Sequence, residues 1–310
     1  MITRHNVPVY SICWLNHCKG GLIGTFYEPE TKEELAEICR YLYKEEKCFD
    51  LIGHTSNIYF LPSYSVDYMV STRKCKQYYE TDNEIICDCG VSVMKLAHQM
   101  VEKGIKGFEG LIDLPGTVAA SIYGNASCYN CGINNLLISC ELLCPNGQIV
   151  IIKPEELQLS KRSSSLKRGE LKGVILSVTL RKEKGKSEWI KKQAQLYHKK
   201  RVETQPGFKD NLGSIYAHSE DWSRRVAVHR TIVMLYSFLL KMMGRTKKAI
   251  EENKKNLLLT LLGAKDIIPY VFSWNRYIWK DEKSHDLFWK YHKIHKQLFN
   301  RSEFEIEIKS

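Results

Sequence analysis

The chain has 310 residues, 46 Lys and Arg against 35 Asp and Glu, a formal charge of +11 and 44% hydrophobic residues. That length suits two domains rather than one core, and the composition excludes disorder as the main state. The positive excess suits nucleic acid, an acidic membrane or phosphorylated small molecules, and charge alone does not choose among them. Eleven cysteines do not read as a disulfide framework: the count is odd, the chain is large, and the first residues, Met1 to Asn6, hold no apolar run of signal length. Reduced thiols in a cytoplasmic protein are the expectation. The longest uncharged apolar stretch, residues 231–240, is far short of the ~20 residues that span a bilayer and reads as a buried helix.

In chain order, residues 31–45 predict a helix. Thr31 and Glu34 have capping-box spacing, and Leu35, Ile38 and Leu42 share a face. Residues 50–53 read as a strand entering a glycine turn, and 68–72 and 84–89 as further strands, with Cys87 and Cys89 on one face as small core residues. Val93, Leu96, Ala97, Met100 and Val101 recur at helical spacing before Gly104. Residues 136–144 and 148–152 flank Pro145-Asn146-Gly147, a hairpin signal, and 174–180 is another β-rich run.

From 181 to 201 the chain changes character, with nine Lys or Arg against two Glu and Gly185 as a hinge. A domain boundary is placed here: residues 1–184, in two parts of about 1–66 and 67–184, precede a mainly helical unit, 185–310. In that unit 226–243, 247–262 and 284–298 predict helices, and 304–308 alternates apolar and acidic residues as a strand. No internal repeat or low-complexity segment is present.

Two segments carry the chemical signal. In Gly53-His54-Thr55-Ser56-Asn57, directly after a strand, a glycine permits a tight turn, and successive amides with Ser and Asn side chains can hold a pyrophosphate. In Pro115-Gly116-Thr117-Val-Ala119-Ala120, followed by Asn125 and Tyr129, small residues crowd where backbone must approach a ring or a phosphate. Cys128-x-x-Cys131 and Cys140-x-x-x-Cys144 have metal-like spacings, but the pairs sit closer together than in a zinc ribbon and read as loop and core thiols.

The order of these motifs resembles the UDP-N-acetylenolpyruvoylglucosamine reductase family. Besides Gly-x-x-Ser-Asn and Gly107-Phe-Glu-Gly-Leu-x-x-Leu-Pro-Gly-Thr-Val, Leu159-Ser-Lys-Arg162-Ser-Ser resembles its aromatic-Tyr-Arg-Asp-Ser motif. Gln205-Pro206 and Gly213-Ser214 resemble Gln-Pro and Gly-Ser-aromatic, and Phe304-Glu-Ile-Glu307-Ile resembles a terminal Leu-Glu-x-Glu-Val. The resemblance implies an α+β protein: a two-part FAD-binding domain of the vanillyl-alcohol-oxidase (PCMH) type, plus a smaller C-terminal α/β substrate domain. It implies FAD as cofactor, NADPH as co-substrate and hydride transfer to an enolpyruvyl UDP-sugar in peptidoglycan precursor synthesis. By motif position Ser214, Arg162 and Glu307 take the catalytic roles. Gly53, His54, Thr55, Ser56, Asn57, Pro115, Gly116, Thr117, Ala120, Asn125 and Tyr129 take the flavin.

The chain departs from the family pattern where Lys-Asn-Pro becomes Ala217-His218-Ser219, and where His-x-Asn-aromatic survives only as Trp274-Asn275-Arg276-Tyr277. A divergent flavoprotein acting on another surface-polysaccharide precursor is therefore a second reading. His54 in a pyrophosphate loop raises covalent flavin attachment, against the plainer reading of a solvent-facing side chain. Nucleic-acid binding is a third reading, but aromatic-interleaved basic motifs are absent. The expected partners are the anionic sugar nucleotide and NADPH, without nucleic acid or membrane.

Overall fold

The computed structural model describes residues 1–207, 210–217 and 221–310; His218 and Ser219, two of the family departures, lie outside them. The first sheet is built from β1 (Ile2–Pro8), β2 (Leu22–Glu28), β3 (Asp50–Ile52) and β5 (Val66–Ser71), in the order β1-β2-β5-β3. β1 and β2 are antiparallel, whereas β3 and β5 run parallel to their neighbours. Helix α1 (Lys32–Lys44) follows β2. Its cap is Thr31, whose side chain accepts from the Glu34 amide at 3.2 Å, while Glu34 reaches back to the Glu30 amide at 2.9 Å. β4 (Ile58–Phe60) stands outside this sheet.

The second sheet is antiparallel throughout. β6 (Tyr78–Glu80), β7 (Glu84–Asp88), β10 (Leu137–Leu143), β11 (Ile149–Ile152) and β12 (Val174–Arg181) lie in the order β11-β10-β12-β7-β6. Between β7 and β10 come α2 (Val93–Glu102), the short α3 (Val118–Tyr123) and a two-residue ribbon, β8 (Ser127–Cys128) with β9 (Cys131–Gly132). Gly147 takes φ +84° in the tight turn between β10 and β11, as the hairpin signal requires. α1, α2 and this sheet enclose a core of aliphatic residues and cysteines, Cys87 and Cys89 included, in which Phe108 is the one buried aromatic ring among the described residues. Helix α4 (Ser187–Thr204) buries Ile190 and Ala194 in the same core. The Gly185 amide donates to the Gly104 carbonyl, so the basic segment is tied to the α2 end.

Beyond α4 lie α5 (Ala227–Met242), α6 (Lys247–Leu261), the ribbon of β13 (Val271–Ser273) and β14 (Arg276–Tyr277), α7 (Lys283–Leu298) and β15 (Glu307–Lys309). Their core is aromatic: Tyr216, Tyr277, Trp279, Phe288, Tyr291 and Phe299 pack with Tyr59 of β4. β15 pairs in parallel with β4, setting Glu307 opposite Ile58, so the end of the chain returns to the first flavin-type motif.

Two expectations need correction. Residues 231–240 do form helix, but Ile232, Met234, Leu235, Phe238 and Leu239 are exposed, because only Val233 and Leu240 of α5 turn inward. Cys13 and Cys18 are joined as a disulfide, and the other nine cysteines are free. The loop between them folds back to bring their Cα atoms within 6.2 Å, a closure that composition does not reveal.

Candidate active site

A cavity of about 940 Å³ opens where β3, β4, α3, α4 and β15 converge. That lies at the upper end of small-molecule sites, ~300–1,000 Å³. Gly53 to Asn57 form one wall. Thr55 is buried at φ +55° and is held by Arg73, whose guanidinium donates to the Thr55 hydroxyl at 3.2 Å and to the Gly53 carbonyl at 2.8 Å. A Cβ on Gly53 would lie 2.6 Å from the Thr117 hydroxyl oxygen, so this glycine permits the two loops to close on each other. His54 is half-buried against the cavity rather than facing solvent. The Asn57 amide is committed to protein: it donates to the Glu305 carbonyl at 3.2 Å, and the Asn57 carbonyl accepts from the Glu307 amide at 2.9 Å.

Pro115, Gly116, Thr117 and Ala120 form the facing wall. Thr117 caps α3 through the Ala120 amide, and Ala120 presents its methyl outward. Gly116 is buried at φ +131°, a backbone conformation that favours glycine, and a would-be Cβ would meet the hydroxyls of Ser56 and Ser121 at 3.7 Å, in ordinary contact. Asn125 does not line the cavity; its amide donates to the Ser160 carbonyl at 2.6 Å and clasps the loop that carries Arg162. Tyr129 does line it, stacked on Tyr197 of α4 at 4.8 Å, with its hydroxyl buried and unpartnered.

Arg162, Ser214 and Glu307 border the same cavity. Arg162 Nε lies 2.9 Å from Glu305 Oε1, a partner that motif position did not assign. Burial pushes the Glu305 carboxyl above its usual range, opposed first by the Arg162 guanidinium. Glu307 is pushed the same way by burial, opposed by Lys167 and Lys309. The expected strand over 304–308 forms only from Glu307 to Lys309, and Glu305 lies in the bend before it, yet both carboxylates line the cavity. Ser214 is fixed by a weave of chain. The Ile215 amide donates to the Asn275 carbonyl at 3.1 Å, the Asn275 side chain bonds both ways with the Tyr216 backbone, and the Glu305 amide donates to the Ile215 carbonyl at 2.8 Å.

The residues that sequence reasoning missed are mostly cations. Arg276, Arg201, Lys200 and Lys167 join Arg162, Lys47 and Lys309, so seven cationic side chains face three carboxylates, Asp50, Glu305 and Glu307. Arg276 Nε is buried without a partner, and burial followed by repulsion from Arg201 lowers the guanidinium pKa. A buried, unsatisfied cation is a standing demand for an anion.

The family described as "FAD binding domain" matches residues 25–153. The chain is 29% identical over 198 residues to UDP-N-acetylenolpyruvoylglucosamine reductase of Clostridium kluyveri, and 26% identical over 197 residues to that of Enterococcus faecalis. The first match covers 64% of both chains and the second 64% of this chain and 65% of the other, so the chain matches just under two thirds of these relatives' length. The chain is similar in sequence to the UDP-N-acetylenolpyruvoylglucosamine reductases. The crystal structure of the Thermus caldophilus reductase superposes over 100% of both chains with a TM-score of 0.67 at 17% identity, which shows the fold.

The residues lining the cavity fit a flavin dinucleotide. Gly116 keeps the loop beside the cavity free of a side chain, the wall from Gly53 to Ser56 supplies amides and hydroxyls, and the Tyr129 hydroxyl is buried without a partner. FAD would lie between the Gly53–Ser56 and Pro115–Ala120 loops.

Proposed function

We propose that the protein is an FAD-dependent reductase of an enolpyruvyl UDP-sugar, producing the N-acetylmuramate nucleotide of peptidoglycan synthesis with NADPH as the electron source. The observation that supports it most is the meeting of Arg162, Ser214, Glu305 and Glu307 in one cation-rich cavity beside the FAD-binding loops. When bound, FAD would supply the redox chemistry that links NADPH to reduction of the substrate double bond.

The chain's residues supply charge and proton. Hydride addition builds negative charge on the substrate carboxylate, and the Arg162 guanidinium, fixed by Glu305, stands ready to stabilise it. The Ser214 hydroxyl donates a proton to the adjacent carbon; the residues that follow it, Ile215 and Tyr216, are pinned by Asn275 and by the residue 305 amide, which supplies the preorganisation a weak acid needs. Burial favours the neutral, proton-bearing forms of Glu305 and Glu307. Arg276 and Arg201 suit the diphosphate of the sugar nucleotide.

The same reading divides the chain into a flavin unit and a substrate unit, with α4 packed into the core of the first, and places it in the cytoplasm. Among the described residues no helix is long and apolar enough to cross a membrane. A second reading, the same flavin chemistry on a different enolpyruvyl or surface-polysaccharide precursor, is favoured by Arg276, which stands on the departed Trp274–Tyr277 segment inside the cavity. The two separate in a half-reaction assay: load FAD, reduce it with NADPH, and add candidate enolpyruvyl sugars. Reoxidation by UDP-N-acetylenolpyruvoylglucosamine supports the first reading, reoxidation only by another sugar supports the second, and failure to take up FAD removes both.

A further inference from the structure

Helix α5 lies outside everything used above. It touches the body through Val233 and Leu240, with Val226 just before it, a single stripe of period seven. The face opposite that stripe is apolar and open. Val228 and Met242 are each 72% exposed, Phe238 is 62% exposed, and Ile232, Leu235 and Leu239 continue the stripe along about 24 Å of helix. Exposed apolar side chains scattered singly are ordinary, but a continuous stripe on one helix marks an interaction surface.

The charges on and directly flanking α5 are of one sign, with the exposed acids Asp221, Glu251 and Glu252 just beyond them. Residues 222–250 contain seven Lys or Arg and no Asp or Glu. Arg224 and Arg225 are exposed at the entry of the helix, and Lys241, Arg245, Lys247 and Lys248 are exposed at its exit. Cations at a helix N-terminus oppose the macrodipole, so the arginine pair at the entry weakens the helix it precedes. An anionic counter-surface would offset that cost.

We infer that α5 docks the protein on an anionic lipid bilayer, lying in the interface plane with its Val228–Met242 stripe sunk among acyl chains and its basic ends on the headgroups. An amphipathic helix of this make-up, apolar on one face and Lys/Arg-flanked, is what such an interface retains. A second copy of the chain is disfavoured by charge, since a two-fold contact would set the seven cations against their own images. Nucleic acid is disfavoured by chemistry, since aliphatic and methionine side chains offer bases no stacking platform.

The experiment is sedimentation of the FAD-loaded full chain with vesicles of phosphatidylcholine alone and of an equimolar phosphatidylcholine–phosphatidylglycerol mixture. Binding is expected to the anionic vesicles and not to the neutral ones, and to weaken as salt is raised. Lys241→Ala with Arg245→Ala should weaken it about 25-fold, at roughly fivefold per cation. Leu235→Glu with Phe238→Glu should abolish it, with flavin absorbance and circular dichroism unchanged because all four side chains are exposed. The inference is overturned if the anionic vesicles leave the protein in solution, or if both variants bind as well as the parent, which would assign the attraction to another basic face. It is equally overturned if the parent is a dimer that Leu235→Glu disperses, because the stripe is then already covered.

Discussion

The two cores of this molecule are made of different material. Around the second sheet the interior is aliphatic and thiol-bearing, with Phe108 as its one buried ring, and its order comes from strand alternation and helix periodicity. Around α7 the interior is a stack of rings: Tyr216 lies 3.6 Å from His295 and 5.5 Å from Phe304, and Tyr59, Trp279 and Phe288 meet within 5.6 Å. Its hydroxyls are bonded inward, Tyr59 to His285 Nδ1 at 3.0 Å and Tyr216 to His292 Nδ1 at 3.1 Å. An aliphatic core tolerates change as long as volume is kept; a ring-and-hydrogen-bond core specifies orientation and fails when a single partner is lost. The first holds loops around a cofactor, where backbone position suffices. The second holds Ser214 and Glu305, where a side chain must be aimed.

That contrast can be broken most sharply at the aimed residue. Ser214→Ala should leave flavin reduction by NADPH intact and slow the transfer from flavin to substrate by about 10²–10⁴-fold, as loss of a positioned proton donor does. Stopped-flow absorbance of the two half-reactions checks it, and equal loss in both would make Ser214 a structural residue. Phe288→Ala, in the ring core, should cost about 3–5 kcal/mol of stability. Leu142→Met, in the aliphatic core, should cost less than about 1.5 kcal/mol because it conserves volume. Thermal denaturation of both variants measures the difference, and similar losses would remove the distinction between the cores.

Tyr216→Phe deletes one hydroxyl and should cost about 1–3 kcal/mol by leaving the His292 ring nitrogen without its partner. The smallest effect is set by pH. Burial lowers His292 to about 4 and, more strongly, His295 to about 3, with charge repulsion adding to both. The unfolded chain takes protons near the ordinary value of ~6.5. The contribution of these histidines is therefore complete above that pH and is lost progressively as pH falls through it toward 4 and below. His295→Gln should flatten this part of the profile of melting temperature against pH, and an unchanged profile would show that other groups govern it.

What could be read without coordinates follows the same division. Thr31, Gly147 and the 93–101 periodicity act within a few residues of themselves, so helix α1, the β10–β11 turn and helix α2 were legible. The loops 53–57 and 115–120 stood out because tight turns of small residues accept few residue types, and both line the cavity. The Arg162–Glu305 pair was not, because its members are far apart in the chain and no local pattern joins them. Arg73 was hidden for the same reason: a Thr-Arg-Lys turn gives no sign that its guanidinium will brace Gly53 and Thr55. The 231–240 run misled because apolar composition implies burial only where something arrives to cover it. Strands β1 and β2 escaped notice since most of β1 and half of β2 carry polar or exposed side chains.

The parallel pairing of β15 with β4 also sets a timetable for synthesis. The flavin loops leave the ribosome early, but Glu305 and Glu307 are translated some 250 residues after Asn57, the residue whose backbone and amide receive them. A nascent chain can assemble its flavin cradle while still tethered, yet it holds neither carboxylate until residue 309 has cleared the tunnel. A message cut just before codon 303 would yield a chain without either carboxylate and without the strand that β4 pairs with.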